Sequence, residues 1–371
     1  METWPQRSGN CWVSNASAAQ MARPDVMIVA ANPLRAFGRM LFERAGCAPA
    51  EAALVADALV DASLAGHDSH GVVRFPQYLE ALDRGEIVAN RRAELLFEMP
   101  ALAIFDGGFG FGQVVGREAV EHGISLARRS GAAVVGLGHS GHLGRVAEWA
   151  KLAADAGQIS LHFVNVPGGL RVAPHGAREP RFGTNPLAAG VPIPGAEHII
   201  LDLSTAAVPV GRVQVAKNRG ERVAPGLLLD RAGRPTQDPA TLFEGGSILP
   251  IAGHRGSGLS LVAELLAGAL TGGGASAPTR KFLYNNMLSI FIDTTNPARS
   301  AEYAAEAKRF VDWVRAAAPV DPAAPVLLPG DRSRQMHAER ARSGIPIDDV
   351  TARKMADAAA RFALGVFPPD S

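Results

Sequence analysis

Cysteine is almost missing from this 371-residue chain, and neither sign of charge is in surplus. Two cysteines, Cys11 and Cys47, cannot complete a structural zinc site or a secreted disulfide framework, and a reducing cytoplasm is the simplest setting for them. Lys and Arg number 37 against 36 Asp and Glu, a net charge of +1. No basic excess exists to hold a nucleic-acid backbone, and no acidic excess points to disorder. An anionic ligand must therefore be held by a few local cations. No apolar run reaches the roughly 18–20 residues that a membrane helix requires. Residues 1–24 are rich in Ser, Asn, Gln and Arg and lack the apolar stretch of a signal peptide, so 1–28 is expected to be a disordered extension without chemistry. What the chain has is apolar bulk: 47% of residues are hydrophobic and 20% charged, ample for a large core.

Read along its length, the chain alternates. Helices are expected from Asn32-Pro33 to Gly46, from about Ala50 to Gly66, and from Pro76 to Gly85. A helix over about 116–129 leads to a strand over 132–136, and a helix over about 146–156 leads to a strand over 159–164. Further strands are expected at 187–191, 199–203, 226–229 and 287–292, with helices near 210–218, 259–270, 301–317, 334–342 and 350–364. The alternation argues for an α/β protein, a single catalytic unit over 29–366 made of interleaved subdomains. Gly272 to Pro278 reads as a flexible surface loop.

Four segments carry candidate chemistry. Asp68-Ser69-His70-Gly71 is followed by Arg74, and a His near neutrality beside a bidentate guanidinium suits proton exchange and carboxylate binding. The same residues also read as a helix cap with a solvent-facing His70, and Pro76 can leave His70 in the entry loop. Gly138-His139-Ser140-Gly141-His142-Leu143-Gly144 ends a strand, where backbone can approach a ligand. Its two histidines lack the HExxH spacing or nearby carboxylate of a zinc site, and a polar turn is the plain alternative. Phe182-Gly183-Thr184-Asn185-Pro186 pairs with Asp202-Leu203-Ser204-Thr205, which either reaches a ribose or caps the next helix. Gly253-His254-Arg255-Gly256-Ser257-Gly258 precedes an apolar helix, a weak anion-site pattern. Gly107-Gly108-Phe109-Gly110-Phe111-Gly112 fails the GxGxxG spacing and is given no phosphate role.

Together and in this order, these segments resemble the malate/L-lactate dehydrogenase family, which includes ureidoglycolate and sulfolactate dehydrogenases, diketogulonate reductase and piperideine-2-carboxylate reductase. The matching runs also include Gly233-Arg234-Pro235-Thr236-Gln237-Asp238-Pro239 and Leu328-Pro329-Gly330-Asp331, and they cover the chain from about Val29 to Leu364. The resemblance implies an NAD(P)-binding fold that is not a Rossmann domain, with its cofactor region over roughly 115–275. It also implies a homodimer whose subunits share the active site. It implies that His142 or His70, the latter with Ser69, exchanges the substrate proton, that Arg74 binds the substrate carboxylate, and that Thr184 lies beside it. Asp202, Leu203, Ser204 and Arg255, with Gly330, Asp331 and Arg332, are implied as cofactor contacts.

Three departures shape the expectation. Arg255 stands where the family often has Lys, and Gly256-Ser257-Gly258 replaces Gly-Tyr-Gly, which keeps charge but removes an aromatic. Arg212 stands where an imine-reductase relay needs Asp, which favours a hydroxy acid over a cyclic imine. Pro209 reshapes the adjoining wall. The expected function is hydride transfer between a nicotinamide and a small 2-hydroxy or 2-oxo carboxylic acid. The alternatives are reduction of a pyrroline- or piperideine-2-carboxylate, and a non-catalytic nucleotide-binding relative. No metal is expected, and the absence of a basic cluster for a 2′-phosphate tilts the choice between NAD and NADP to NAD.

Overall fold

The computed structural model describes residues 26–280, 282–296, 298–365 and 367, so Cys11 and most of the expected extension lie outside the described residues. Residues 26–28, expected in that extension, instead form part of strand β1 (Val26–Val29). Three helices follow: α1 (Ala31–Arg44), α2 (Pro49–Leu64) and α3 (Arg74–Asp83). Pro49 opens α2 because its missing N–H and fixed φ suit a first helical position. Buried Leu34, Phe37 and Leu41 of α1 meet Val55 and Leu59 of α2 and Phe75 of α3 in one apolar cluster.

A mixed sheet occupies the middle. β2 (Glu94–Met99) and β3 (Leu102–Asp106) precede α4 (Gly112–Ser130), β4 (Ala132–Ser140) and α5 (Ala147–Asp155). Then come β5 (Gln158–Asn165), β6 (Leu187–Val191) and β7 (Ile199–Leu203). A lobe built from α6 (Val210–Arg219) and three short strands, β8 (Leu228–Leu229), β9 (Pro235–Thr236) and β10 (Ser247–Ile248), has its own small core. The chain returns through α7 (His254–Ala263), a wide turn of helix over Glu264–Ala269, and β11 (Asn285–Asp293). It closes with α8 (Ser300–Arg315), α9 (Asp331–Ser343), β12 (Ile345–Asp348) and α10 (Asp349–Arg361).

The large sheet has the order β2-β3-β4-β11-β5-β6-β7. Only β3 and β4 pair in parallel; every other neighbouring pair runs antiparallel. A Rossmann sheet is mostly parallel, with its nucleotide at a parallel switch point, and this sheet follows another plan. Helices α4 and α5 cover it through Val120, Leu126, Trp149 and Ala153. β1 pairs with β12, so the two ends of the described chain meet, and α10 joins the helical cluster of α1 to α3.

Several expectations shift. The apolar helix over 259–270 starts earlier, at His254, because Gly256 and Gly258 sit inside its first turns. Its Leu259, Leu261, Val262 and Leu265 are exposed rather than core. β2 and β3 went unrecognised: every residue of β2 is exposed, so no alternation of burial marks it. The 272–278 segment is irregular but anchored. The Gly273 carbonyl accepts from the Tyr284 hydroxyl, and the Gly274 carbonyl accepts from the Asn165 and Asn286 amides.

Candidate active site

His70 closes a single 3₁₀ turn, Asp68–His70, between α2 and α3. Ser63 of α2 holds the exit of this turn: its Oγ accepts from Val72 N–H at 3.0 Å. A Cβ at Gly71 would fall 1.9 Å from that same Oγ, so only glycine permits the approach. From the other side Arg340 of α9 donates to the Ser63 carbonyl and to Asp68, each at 2.5 Å. Ser69 Oγ lies 2.9 Å from His70 Nδ1. Arg74 then begins α3, beyond the turn that carries His70, and its Nε donates to the Ser69 carbonyl at 2.7 Å. The guanidinium also donates to Gln77 Oε1, so both of its partners are uncharged.

His142 reaches the same place from the loop after β4. Its ring stacks on His70, with centroids 5.4 Å apart and 20° between planes. Tyr78, one turn after Arg74 on α3, places its hydroxyl 2.8 Å from His142 Nδ1, and Gln113 Nε2 of α4 donates to that hydroxyl at 3.0 Å. The glycine-rich segment rejected as a phosphate loop has a different use. A Cβ at Gly112 would lie 2.4 Å from the His142 carbonyl oxygen, so the bare start of α4 lets the helix tuck beneath that loop. The other histidine of the Gly138 to Gly144 segment, His139, lies in β4 and pairs with Asp106 at 2.9 Å.

Burial and surrounding cations keep both site imidazoles neutral. Desolvation, reinforced by Arg74, His67 and Arg145, lowers His70 to about 3. Desolvation, then Arg74 and His70, holds His142 well below the usual histidine range. The Tyr78 hydroxyl is pushed up to about 12, chiefly by burial, and stays protonated. Two neutral imidazoles beside a guanidinium with no carboxylate partner among the described residues can accept a proton and bind an acid.

The implied cofactor residues are less uniform. Asp202 ends β7 and accepts from Ala147 N–H at the start of α5, while burial raises its pKa against the pull of His67 and Arg145. Ser204 Oγ donates to the Thr184 carbonyl, and Thr205 donates to the same oxygen, so the two halves of the third candidate segment are joined. Leu203 is half-buried at the strand's end. Ser260 of α7 donates to Thr205 Oγ1, which brings the α7 start to this edge. There Arg255 is exposed and forms no ion pair among the described residues. A free guanidinium on a helix N-terminus fits a pyrophosphate. Gly330 caps α9 with φ 99°, and Arg332 is exposed. Asp331, by contrast, is engaged inside the protein by Arg315, Arg334 and the Leu328 N–H, which leaves its carboxylate no free face for a ligand.

Sequence reasoning missed Tyr78, Gln113, Arg145 and Arg340. Only Tyr78 had a local signal, its i+4 spacing from Arg74; the others arrive through tertiary packing.

Comparison with known proteins shows the family. The family model for malate/L-lactate dehydrogenase matches residues 29–356. Hydroxycarboxylate dehydrogenase B of Escherichia coli (strain K12) is 38% identical over 343 residues, covering 90% of this chain and 94% of that protein. The Delta(1)-pyrroline-2-carboxylate/Delta(1)-piperideine-2-carboxylate reductase of Pseudomonas syringae pv. tomato is 34% identical over 312 residues, covering 82% and 88%. The solved structure of a putative malate/lactate dehydrogenase from E. coli superposes with a TM-score of 0.86 at 37% identity, over 91% of this chain and 96% of that one. The chain belongs to the malate/L-lactate dehydrogenase family of hydroxy-acid oxidoreductases.

Proposed function

We propose that the two stacked imidazoles exchange the hydroxyl proton of a small 2-hydroxy acid while Arg74 grips its carboxylate. The convergence of His70 and Arg74 with His142, some 70 residues further along the chain, carries this reading. His142 is the proton acceptor, because Tyr78 anchors its Nδ1 and leaves the other ring nitrogen for substrate. Ser69 and His70 form the second face, and Thr184 borders the carboxylate. A bound nicotinamide supplies the hydride acceptor or donor for substrate C2. The chain's own part is to orient the acid, hold the proton and exclude water.

Arg255 with the α7 N-terminus holds the cofactor's phosphates, and the ends of β7 at Asp202, Leu203 and Ser204 face its ribose. Gly330 and Arg332 remain candidate contacts; Asp331 acts through its hold on Arg334. We favour NAD over NADP, since no basic cluster waits for a 2′-phosphate, and a cytoplasmic setting. We also favour a homodimer, for which the exposed Leu259, Leu261, Val262 and Leu265 offer an apolar face. Residues 29–366 act as one catalytic unit whose cofactor region is 115–275. Kinship to the imine-acid reductase supports a second reading, which Arg212 opposes because the relay would need an acid there.

A screen at 340 nm of malate, lactate, sulfolactate, ureidoglycolate and cyclic imine acids, each with both cofactors, tests the proposal. Turnover of at least one hydroxy acid is expected. Turnover of imines alone would transfer the assignment to the second reading, and nucleotide binding without any turnover would favour a non-catalytic relative.

A further inference from the structure

A cavity of about 20 Å³ lies beside the His70 ring, where α2, α4 and α5 meet. Its lining includes His70, Gln113, Gly144, Arg145, Glu148 and Trp149. Three of these side chains hold a buried polar atom without a partner: Gln113 Oε1, Arg145 Nε and Trp149 Nε1. Gln113 and Trp149 are each 4% exposed. Such orphans are rare in folded proteins, and three around one cavity call for a common partner.

The donor and acceptor pattern selects that partner. Arg145 and Trp149 present N–H donors, and Gln113 presents a carbonyl acceptor. An anion would satisfy the donors but would face the Gln113 oxygen and the Glu148 carboxylate. An apolar group would satisfy none. One water accepts from both N–H groups, donates to Gln113, and keeps a hydrogen for a fourth partner; the volume suits one molecule. Two polar lining groups remain: the Glu148 carboxylate, 46% exposed and so open to solvent, and the buried His70, its Nδ1 already held by Ser69, which is the fourth partner. A water that donates to Oε1 also settles which end of the Gln113 amide turns to Tyr78. It leaves Nε2 as the donor to the Tyr78 oxygen and frees the Tyr78 hydrogen for His142.

We propose that this cavity holds one ordered water joining His70 to the Gln113, Tyr78 and His142 chain, which makes Gln113 and Trp149 positioning residues for the proton transfer. The proposal rests on the assignment of His70 and His142 to that transfer. The charged and titratable groups around the chain are few. His70 faces Arg74, His67 and Arg145; His142 faces Arg74 and Tyr78. Glu148 lines the cavity, and Asp202 acts on Arg145 and His67.

A high-resolution crystal structure of the full chain should show a density peak within hydrogen-bonding distance of all three orphan atoms. Trp149→Phe keeps the ring's bulk and removes one donor. It should lower kcat about 10-fold with KM unchanged, and shift the acid limb of the kcat profile. Gln113→Leu should do the same through the other end of the chain. A missing peak, or Trp149→Phe with wild-type kcat and pH profile even if its Tm falls, overturns the water's role. Full turnover in both His70→Ala and His142→Ala would overturn the acid–base assignment and the positioning role with it. Inactive histidine variants without a density peak would overturn the water alone.

Discussion

In the role proposed for it, His142 works as a base only while its imidazole is neutral, and its burial beside Arg74 keeps it so. Burial and Arg74 together disfavour the charged form, so the pH dependence follows in sign. The kcat/KM for hydroxy-acid oxidation should stay flat from pH 8 through about 6.5, where an unperturbed histidine would titrate, and should fall only at lower pH. An acid limb centred near that ordinary value would contradict the burial argument. Tyr78→Phe removes the hydroxyl that anchors Nδ1 and should lower kcat about 10-fold while leaving KM nearly unchanged. Arg74→Lys replaces a fork with a point charge and should raise KM more than it lowers kcat; an unchanged KM would remove Arg74 from the substrate. The types and spacing of Ser69, His70 and Arg74 marked them in the sequence. Tyr78 was hidden because a tyrosine eight residues beyond a histidine reads as core until the fold brings His142 against it.

At the scale of elements, the site depends on close approaches that local patterns do not reveal. The 107–112 segment imitates a nucleotide loop on paper, yet its last residue, Gly112, is the thin start of α4 beneath His142. Gly112→Ala should destabilise the protein by about 1–3 kcal/mol, since a methyl group there must displace backbone rather than a flexible side chain. Chemical denaturation would measure it, and a wild-type midpoint would mean the loop yields freely. The turn carrying His70 is held by α9, some 270 residues further along the chain, through Arg340. No windowed reading of the sequence could find that clamp. The helices of the amino-terminal half were legible because their apolar spacing and their Pro and Gly boundaries agree. β2 was not, since its apolar Leu95, Leu96 and Phe97 lie exposed. The apolar spacing of α7 marked a helix but not its setting, since Leu259, Leu261 and Leu265 face outward.

For the whole molecule, buried neutral histidines make the fold acid-sensitive. His162 is fully buried between Ser160 and Ser289, and desolvation lowers it to about 3. Its unfolded form takes up a proton below about 6.5, whereas its folded form does not. Stability is therefore complete above that pH and is lost as pH falls toward the folded value, by about 1–2 kcal/mol at pH 5 from this residue. Thermal melts from pH 7 to 5 should decline, and less steeply in His162→Gln; parallel declines would place the acid sensitivity elsewhere. The outward leucines of α7 predict a dimer mass in light scattering, and a monomer at micromolar concentration would remove that role. The central claim is that a neutral His142, stacked on His70 beside Arg74, takes the substrate's proton. Single-turnover formation of reduced nicotinamide from a hydroxy acid tests it most directly. The account predicts that His142→Ala binds dinucleotide normally yet slows this step by about 10²–10⁴-fold; a step as fast as wild type would contradict it.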